Sequence, residues 1–266
     1  MDKLLTIYKQ EFVKEIAVAS QYRMSLAIWI LSLITEPIVY MTVWTTITNQ
    51  QGSVGGFTGG EFAAYYITWM LVRHFAVTLS PDAIEWRVRQ GEFSALLLKP
   101  VHPIHTDIAS NIAYKLVALP IIVLMMLGLA TIFPPTYNFQ VWSVLAFAPV
   151  MIMAYLIRFL SHWILGLLAF WTTRANAIFE SLFVAEIFLT GRLAPLSLLP
   201  VPILIAASIL PFRWMIAFPV ELLLGKVTPE DALMGFGMQV IWLGIEMLLL
   251  FVVWRAGVKR YAAVGA

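Results

Sequence analysis

Several ionisable residues stand inside long apolar runs, and they are the first candidates for chemistry: Glu36 before Pro37, Arg73 beside His74, Arg158 with His162 four residues on, and Glu180, Glu186 and Glu246. A charge at bilayer depth is costly and faces protein or a water-filled cavity. Glu36, Arg73 and Arg158 are therefore candidates for a translocation pathway or for pairing inside the membrane. Arg73 needs a carboxylate, and Glu36, Glu186 and Glu246 are the ones in reach. Arg158 and His162 share a helix face. With Glu180 they would be the equipment of a membrane-embedded lipid-modifying enzyme, or that face lies near the interface, where Arg snorkels. His102-x-x-His105 has the spacing of a metal pair without the acidic or Cys partners a site needs, so no metal is expected. Asn49 to Gly60 is rich in glycine but has no Gly-Lys-Ser/Thr ending; it reads as a flexible loop, not a phosphate cradle.

His-Glu-x-x-His, Gly-x-Ser-x-Gly and the dinucleotide fingerprint are absent as well. Nothing predicts a catalytic residue or a cofactor in this chain. Broken spans repeated in two halves, the mark of a gradient-driven carrier, are not evident either. A moving membrane protein without a fuel site needs a partner that supplies one.

The stretch around which the rest is organised is Glu85 to His105, EWRVRQGEFSALLLKPVHPIH. Arg87 and Arg89 fall in the last turn of a helix, and Gly91 permits a sharp change of direction. Glu92 to Leu98 make about two amphipathic turns, and Pro100 and Pro103 stop them. A short helix across the membrane face follows, with Phe93, Leu96 and Leu97 positioning it and Arg87, Arg89 and Glu92 free for polar contact.

The chain has 266 residues, 61% of them hydrophobic and 12% charged, against about 25% charged in a soluble domain. It is an all-α integral membrane protein by composition. One transmembrane domain over 1–266 is expected, with an amphipathic interfacial helix at 1–22 whose Leu4, Tyr8, Phe12 and Ile16 share one face. Six spans follow: Met24 to Thr48, Glu61 to Ile84, Ile108 to Phe133, Val141 to Trp171, a short fifth at Ala177 to Thr190, and Met234 to Trp254. Between the last two, residues 191–226 are apolar but broken by Pro195, Pro200, Pro202, Pro211 and Pro219. Bent backbone at membrane depth is tolerated where protein or a cavity covers it; two short helices, Ile203 to Ile209 and Arg213 to Leu224, are expected as a re-entrant outer hairpin. The chain has no cysteine, so no disulfide or thiolate metal site enters.

Orientation follows from the basic residues. With the N-terminus inside, the inner segments hold Lys3, Lys9, Lys14, Arg23, Arg87, Arg89, Lys99, Lys115, Arg174, Arg255, Lys259 and Arg260, and the outer ones Arg192, Arg213 and Lys226. The positive-inside rule then places both termini and residues 85–105 in the cytoplasm. Trp29, Trp44, Tyr65, Trp142, Trp171 and Trp254 fall near span ends, as interface anchors do.

The order of these parts, with Arg-x-Arg-x-Gly-Glu-Phe and Leu-Leu-Leu-Lys-Pro in the cytoplasmic element, resembles the type-2 ABC exporter permeases, in particular their small six-span branch. Leu210-Pro211-Phe212-Arg213 and Phe218-Pro219-Val220-Glu221-Leu222-Leu223-Leu224-Gly225-Lys226 are similar to that branch's outer hairpin. Gln239, Trp242, Trp254, Gly257, Arg260-Tyr261 and Gly265 are similar to its closing signature. Arg73-His74 has no counterpart in the pattern. The resemblance implies an inner-membrane exporter of two permeases, copies or siblings, and two ATPase subunits holding ATP and magnesium, with membrane lipids as the surroundings and no nucleic acid. It makes Arg87, Arg89, Gly91, Glu92, Phe93, Leu96, Leu97 and Pro100 part of a coupling helix seated on the ATPase. Pro211, Arg213, Pro219 and Glu221 would belong to an outer gate.

Overall fold

The computed structural model describes residues 2–172 and 176–261. Arg174 and Gly265, and the side chains of Lys3, Arg23 and Trp29, lie outside the described residues. Among those described the chain is helical, with α1 Asp2–Gln21, α2 Arg23–Gln51, α3 Gly59–Ala76, α4 Pro81–Arg89, α5 Phe93–Leu97, α6 Pro103–Ile132, α7 Val141–Leu167, α8 Asn176–Leu189, α9 Val201–Ile209, α10 Phe212–Met215, α11 Ala217–Leu223 and α12 Pro229–Arg260. Three helices, α6, α7 with its 3-10 extension to Phe170, and α12, are long and apolar enough to cross a membrane.

Helix starts follow local chemistry. Thr58 and Glu61 form a reciprocal capping box at α3: the Thr58 hydroxyl accepts from Glu61 N–H at 3.3 Å, and the Glu61 carboxylate accepts from Thr58 N–H at 2.9 Å. Ser80-Pro81, His102-Pro103 and Thr228-Pro229 each place a side-chain acceptor before a proline at the first helical position. Thr228 is the cap expected for the last helix.

Helix α3 is apolar almost all round and buried almost all round, with Phe62, Tyr65, Tyr66, Trp69 and Val72 in the largest core cluster. Tyr65, expected as an interface anchor, is a core residue whose hydroxyl donates to Gly191 O at 2.8 Å. The second span is not continuous either. Glu61 to Ile84 was the expected extent, but the helix ends at Ala76 and resumes only at Pro81. Proline has no N–H to continue the ladder and forces the residue before it into extended backbone; Ser80 has φ −63°, ψ 138°.

The Gly-rich loop is docked. A turn with a Val54–Phe57 bridge buries Phe57, and Lys226 lies over that ring while pairing with Glu61. Helix α1 packs on α6, with Glu15 accepting from the Ser110 hydroxyl at 2.8 Å. Its Leu4, Phe12 and Ile16 are exposed. Helix α8, where a short fifth span over Ala177 to Thr190 was expected, has 14 residues. The hairpin after it comprises α9, α10 and α11, the last two divided at Ile216.

Candidate functional site

Three linked features carry the candidate functional residues: an arm, a non-helical break behind it and a cavity against the break. The arm is α4, the Gln90–Glu92 turn, α5 and the following loop. Gly91 has φ 76°, a left-handed conformation that favours glycine, and it turns the chain between α4 and α5. Phe93 is fully buried, edge-on to Phe170 at 5.5 Å and near Trp254 and Tyr261, both at 6.0 Å. Leu96 and Leu97 pack on the same cluster. The Ser94 hydroxyl meets the Tyr261 hydroxyl at 3.2 Å.

The polar residues of the arm divide. Arg87 turns inward and grips Asp107 of α6 with two parallel bonds of 2.9 and 3.0 Å. Arg89 lies along Glu85 at 3.3 Å with its side chain largely in solvent. Glu92, Lys99 and Pro100 are exposed, as are Trp86 and Leu98, the last 87% exposed. Trp86 and Leu98 escaped the sequence argument because their outward position depends on which side of α4 and α5 meets α7.

His102 caps α6, its Nδ1 accepting from Ile104 N–H at 3.3 Å, and its ring packs tilted against Trp254 with ring centres 4.1 Å apart. Burial lowers its pKa below the ordinary 6.5.

Behind the arm, Val77–Ser80 is a non-helical break. Lys115 of α6 reaches its first carbonyl, Val77 O, and also bonds Asn111 Oδ1. The Lys115 carbonyl accepts from His74 Nε2 at 3.0 Å. The ammonium lies 4.4 Å from the centre of the Tyr155 ring. The inner end of α3 is thus tied to α6, and the arm beyond the break is tied to α6, α7 and α12.

The intramembrane charges find partners, and not all were foreseen. Glu36 is the carboxylate for Arg73, at 2.7 Å, and it also takes Arg192 from the segment after α8, with one bond at 2.9 Å. Arg192 was counted only as an outer charge; nothing in linear spacing brings it to Glu36. Trp44 and Tyr66 hold the same segment by its Leu193 carbonyl. Arg158 pairs with Glu186 at 2.7 Å. In the hairpin of α9, α10 and α11, Arg213 bonds Glu221 at 3.0 Å and Ser208 at 3.1 Å. Pro211 lies in the turn before α10 and Pro219 within α11.

Helix α12 joins the two ends of this apparatus. Near its start Gln239 donates to Trp214 O at 2.9 Å and Val150 O at 3.1 Å, and Trp242 donates to Ile209 O at 3.1 Å. At its end Trp254, Gly257 and Tyr261 receive the arm's aromatic cluster.

A family model described as ABC-2 family transporter protein matches residues 34–265. The chain belongs to that family. No curated protein and no solved structure matches it. The ABC-2 chain is a membrane permease of the ABC-transporter class, a class that works with an ABC ATPase. Gln239, Trp242, Trp254 and Tyr261 fasten the hairpin and the arm to α12 in this ABC-2 permease.

Proposed function

We propose that the chain is the permease subunit of an ATP-driven exporter, forming half of the pathway in an assembly of two permeases and two ATPases. ATP and magnesium belong to the partner. The spans are α2, α3, α6, α7, α8 and α12, in the inner membrane with both termini in the cytoplasm. The observation that carries the reading is the two-sided coupling arm. Its inner side is fixed to α6, α7 and α12 by the Arg87–Asp107 pair and the Phe93 cluster. Its outer side presents Trp86, Arg89, Glu92, Leu98 and Lys99 to whatever lies beneath.

The load path is specific. Closure of the ATPases pushes on the arm, the Val77–Ser80 hinge lets the arm move relative to α3, and α6, α7 and α12 receive the motion. Helix α12, about 48 Å long at 1.5 Å per residue, carries it to the hairpin held by Gln239 and Trp242. Small displacements at such packed joints become discrete rearrangements.

The test is co-purification with the ATPase encoded beside it. ATP hydrolysis that depends on the permease is expected. No complex, together with hydrolysis indifferent to the chain, overturns the reading. So does labelling of a Gly91→Cys variant by a membrane-impermeant reagent from outside the cell.

A further inference from the structure

A cavity of about 620 Å³ opens between the hinge, α7, α8, the hairpin and α12. Its size is that of a small-molecule site, about 300–1,000 Å³. Most of its lining is apolar, including Phe179 and Phe212, both largely buried. Its charges do not balance. Arg158 is taken by Glu186 at 2.7 Å. His162 Nδ1 lies 2.9 Å from the Arg158 carbonyl, which can only accept, so that nitrogen carries a proton, and Nε2 lies 3.7 Å from the same Glu186 that holds Arg158. Glu246 is 5% exposed, and its hydrogen bond is from the Ser161 hydroxyl at 2.6 Å; no basic side chain among the described residues pairs with it. Glu180, on the α8 wall, is exposed at the edge of the cavity, and no ion pair among the described residues involves it.

A buried carboxylate without a counter-ion is costly; it either takes a proton or recruits a cation. An aromatic and aliphatic lining offers that cation an apolar bed and ring faces that attract positive charge. We propose that this cavity binds a lipophilic organic cation, its charge held by Glu246 and Glu180 and its apolar body by Phe179 and Phe212. The hinge residues Val77, Thr78 and Ser80 form one wall, so movement of the coupling arm reshapes the site. That last step rests on the exporter reading; the binding itself does not.

The test uses the purified full chain in dodecyl maltoside, without ATPase or nucleotide, and two probes of one shape and opposite charge, tetraphenylphosphonium and tetraphenylborate. Saturable binding of the phosphonium is expected, weakened on the order of tenfold by Glu246→Gln and less by Glu180→Gln, with Glu246→Asp retaining part of the affinity. The borate is expected not to saturate. Equal phosphonium affinity in wild type and both Gln variants overturns the proposal, as does equal binding of the borate. Added phosphatidylethanolamine separates two sources of the same chemistry. Displacement of the phosphonium identifies a lipid headgroup ammonium as the occupant, and no displacement identifies a free amphiphile. Failure here leaves permease-dependent ATP hydrolysis untouched, and failure of that hydrolysis leaves this binding result standing.

Discussion

Arg87 and Asp107 meet through two parallel bonds, and Trp163 Nε1 donates to the same Asp107 oxygen at 2.8 Å. One carboxylate therefore joins the coupling arm, α6 and α7. Breaking a buried ion pair from one side leaves a stranded charge, at a cost of about 3–5 kcal/mol. Arg87→Ala is expected to lower the thermal midpoint in detergent more than Asp107→Ala, because it strands the buried Asp107 carboxylate, whereas the arginine left by Asp107→Ala keeps some access to water. Arg87→Lys is not expected to restore either stability or coupled hydrolysis, since an ammonium cannot make the fork. A double-mutant cycle with no coupling energy would count against the joint.

Leu98 and Phe93 lie on opposite sides of the arm and separate folding from contact. Phe93→Ala removes a fully buried ring and is expected to cost about 3–5 kcal/mol. Leu98→Asp alters a side chain 87% exposed and is expected to leave the midpoint within about 0.5 kcal/mol while lowering ATP hydrolysis in the complex. Unchanged hydrolysis with Leu98→Asp and Glu92→Lys together would remove the arm's outer side from the coupling contact.

His102 makes stability fall in acid. An unfolded imidazole titrates near 6.5, and the folded one titrates lower because it is buried. Above about pH 6.5 both states are neutral, and the stability is fully present. As the pH drops below that value the unfolded chain binds the proton first, so stability declines until the folded ring also protonates. Protonating Nδ1 would also remove the acceptor for Ile104 N–H. His102→Asn keeps a cap and cannot titrate. Its thermal midpoint is expected to fall less than that of the wild type between about pH 7 and pH 5; equal falls would show that the ring is not responsible.

Glu36 holds two guanidinium groups, Arg73 and Arg192, in one place. Glu36→Gln is expected to be more damaging than loss of either arginine alone, because it strands both cations. Removing Arg73 leaves Arg192 to neutralise the carboxylate. Thermal midpoints of Glu36→Gln, Arg73→Met and Arg192→Met, measured together, decide it; the reverse order would mean that the carboxylate is not the shared anchor.

What could be read in the sequence were the features that depend on neighbours along the chain. Thr228-Pro229-Glu230 announces a helix start, the prolines of 191–226 announce short helices, and Gly91 announces a turn. The pairing of Arg73 with a carboxylate was legible as a necessity, because a lone charge in an apolar run has few alternatives, but the choice of Glu36 over Glu186 and Glu246 was not. That choice is made by how α2, α3 and α8 pack. The inward turn of Arg87 was illegible for the same reason: Asp107 is twenty positions away, on a helix whose approach depends on the bend at Gly91. The break at Val77–Ser80 could have been found. Ser80-Pro81-Asp82 is the same signal as Thr228-Pro229-Glu230, and an apolar run long enough to span the membrane concealed it.

Gln239 is fully buried, and its amide hydrogens go to Trp214 O in the hairpin and Val150 O in α7. Gln239→Leu removes both donors and leaves Trp214 O without that partner, an expected loss of about 1–3 kcal/mol. Gln239→Glu is nearly the same shape but offers at most one donor to the two carbonyls when protonated, and none with a buried charge when ionised, and is expected to be worse than Leu. If the hairpin moves with α12, both changes should also raise the rate at which an impermeant thiol reagent labels a cysteine placed at Ser208, beside Arg213. An unchanged labelling rate with a lowered midpoint would mean that Gln239 braces the fold without governing the hairpin.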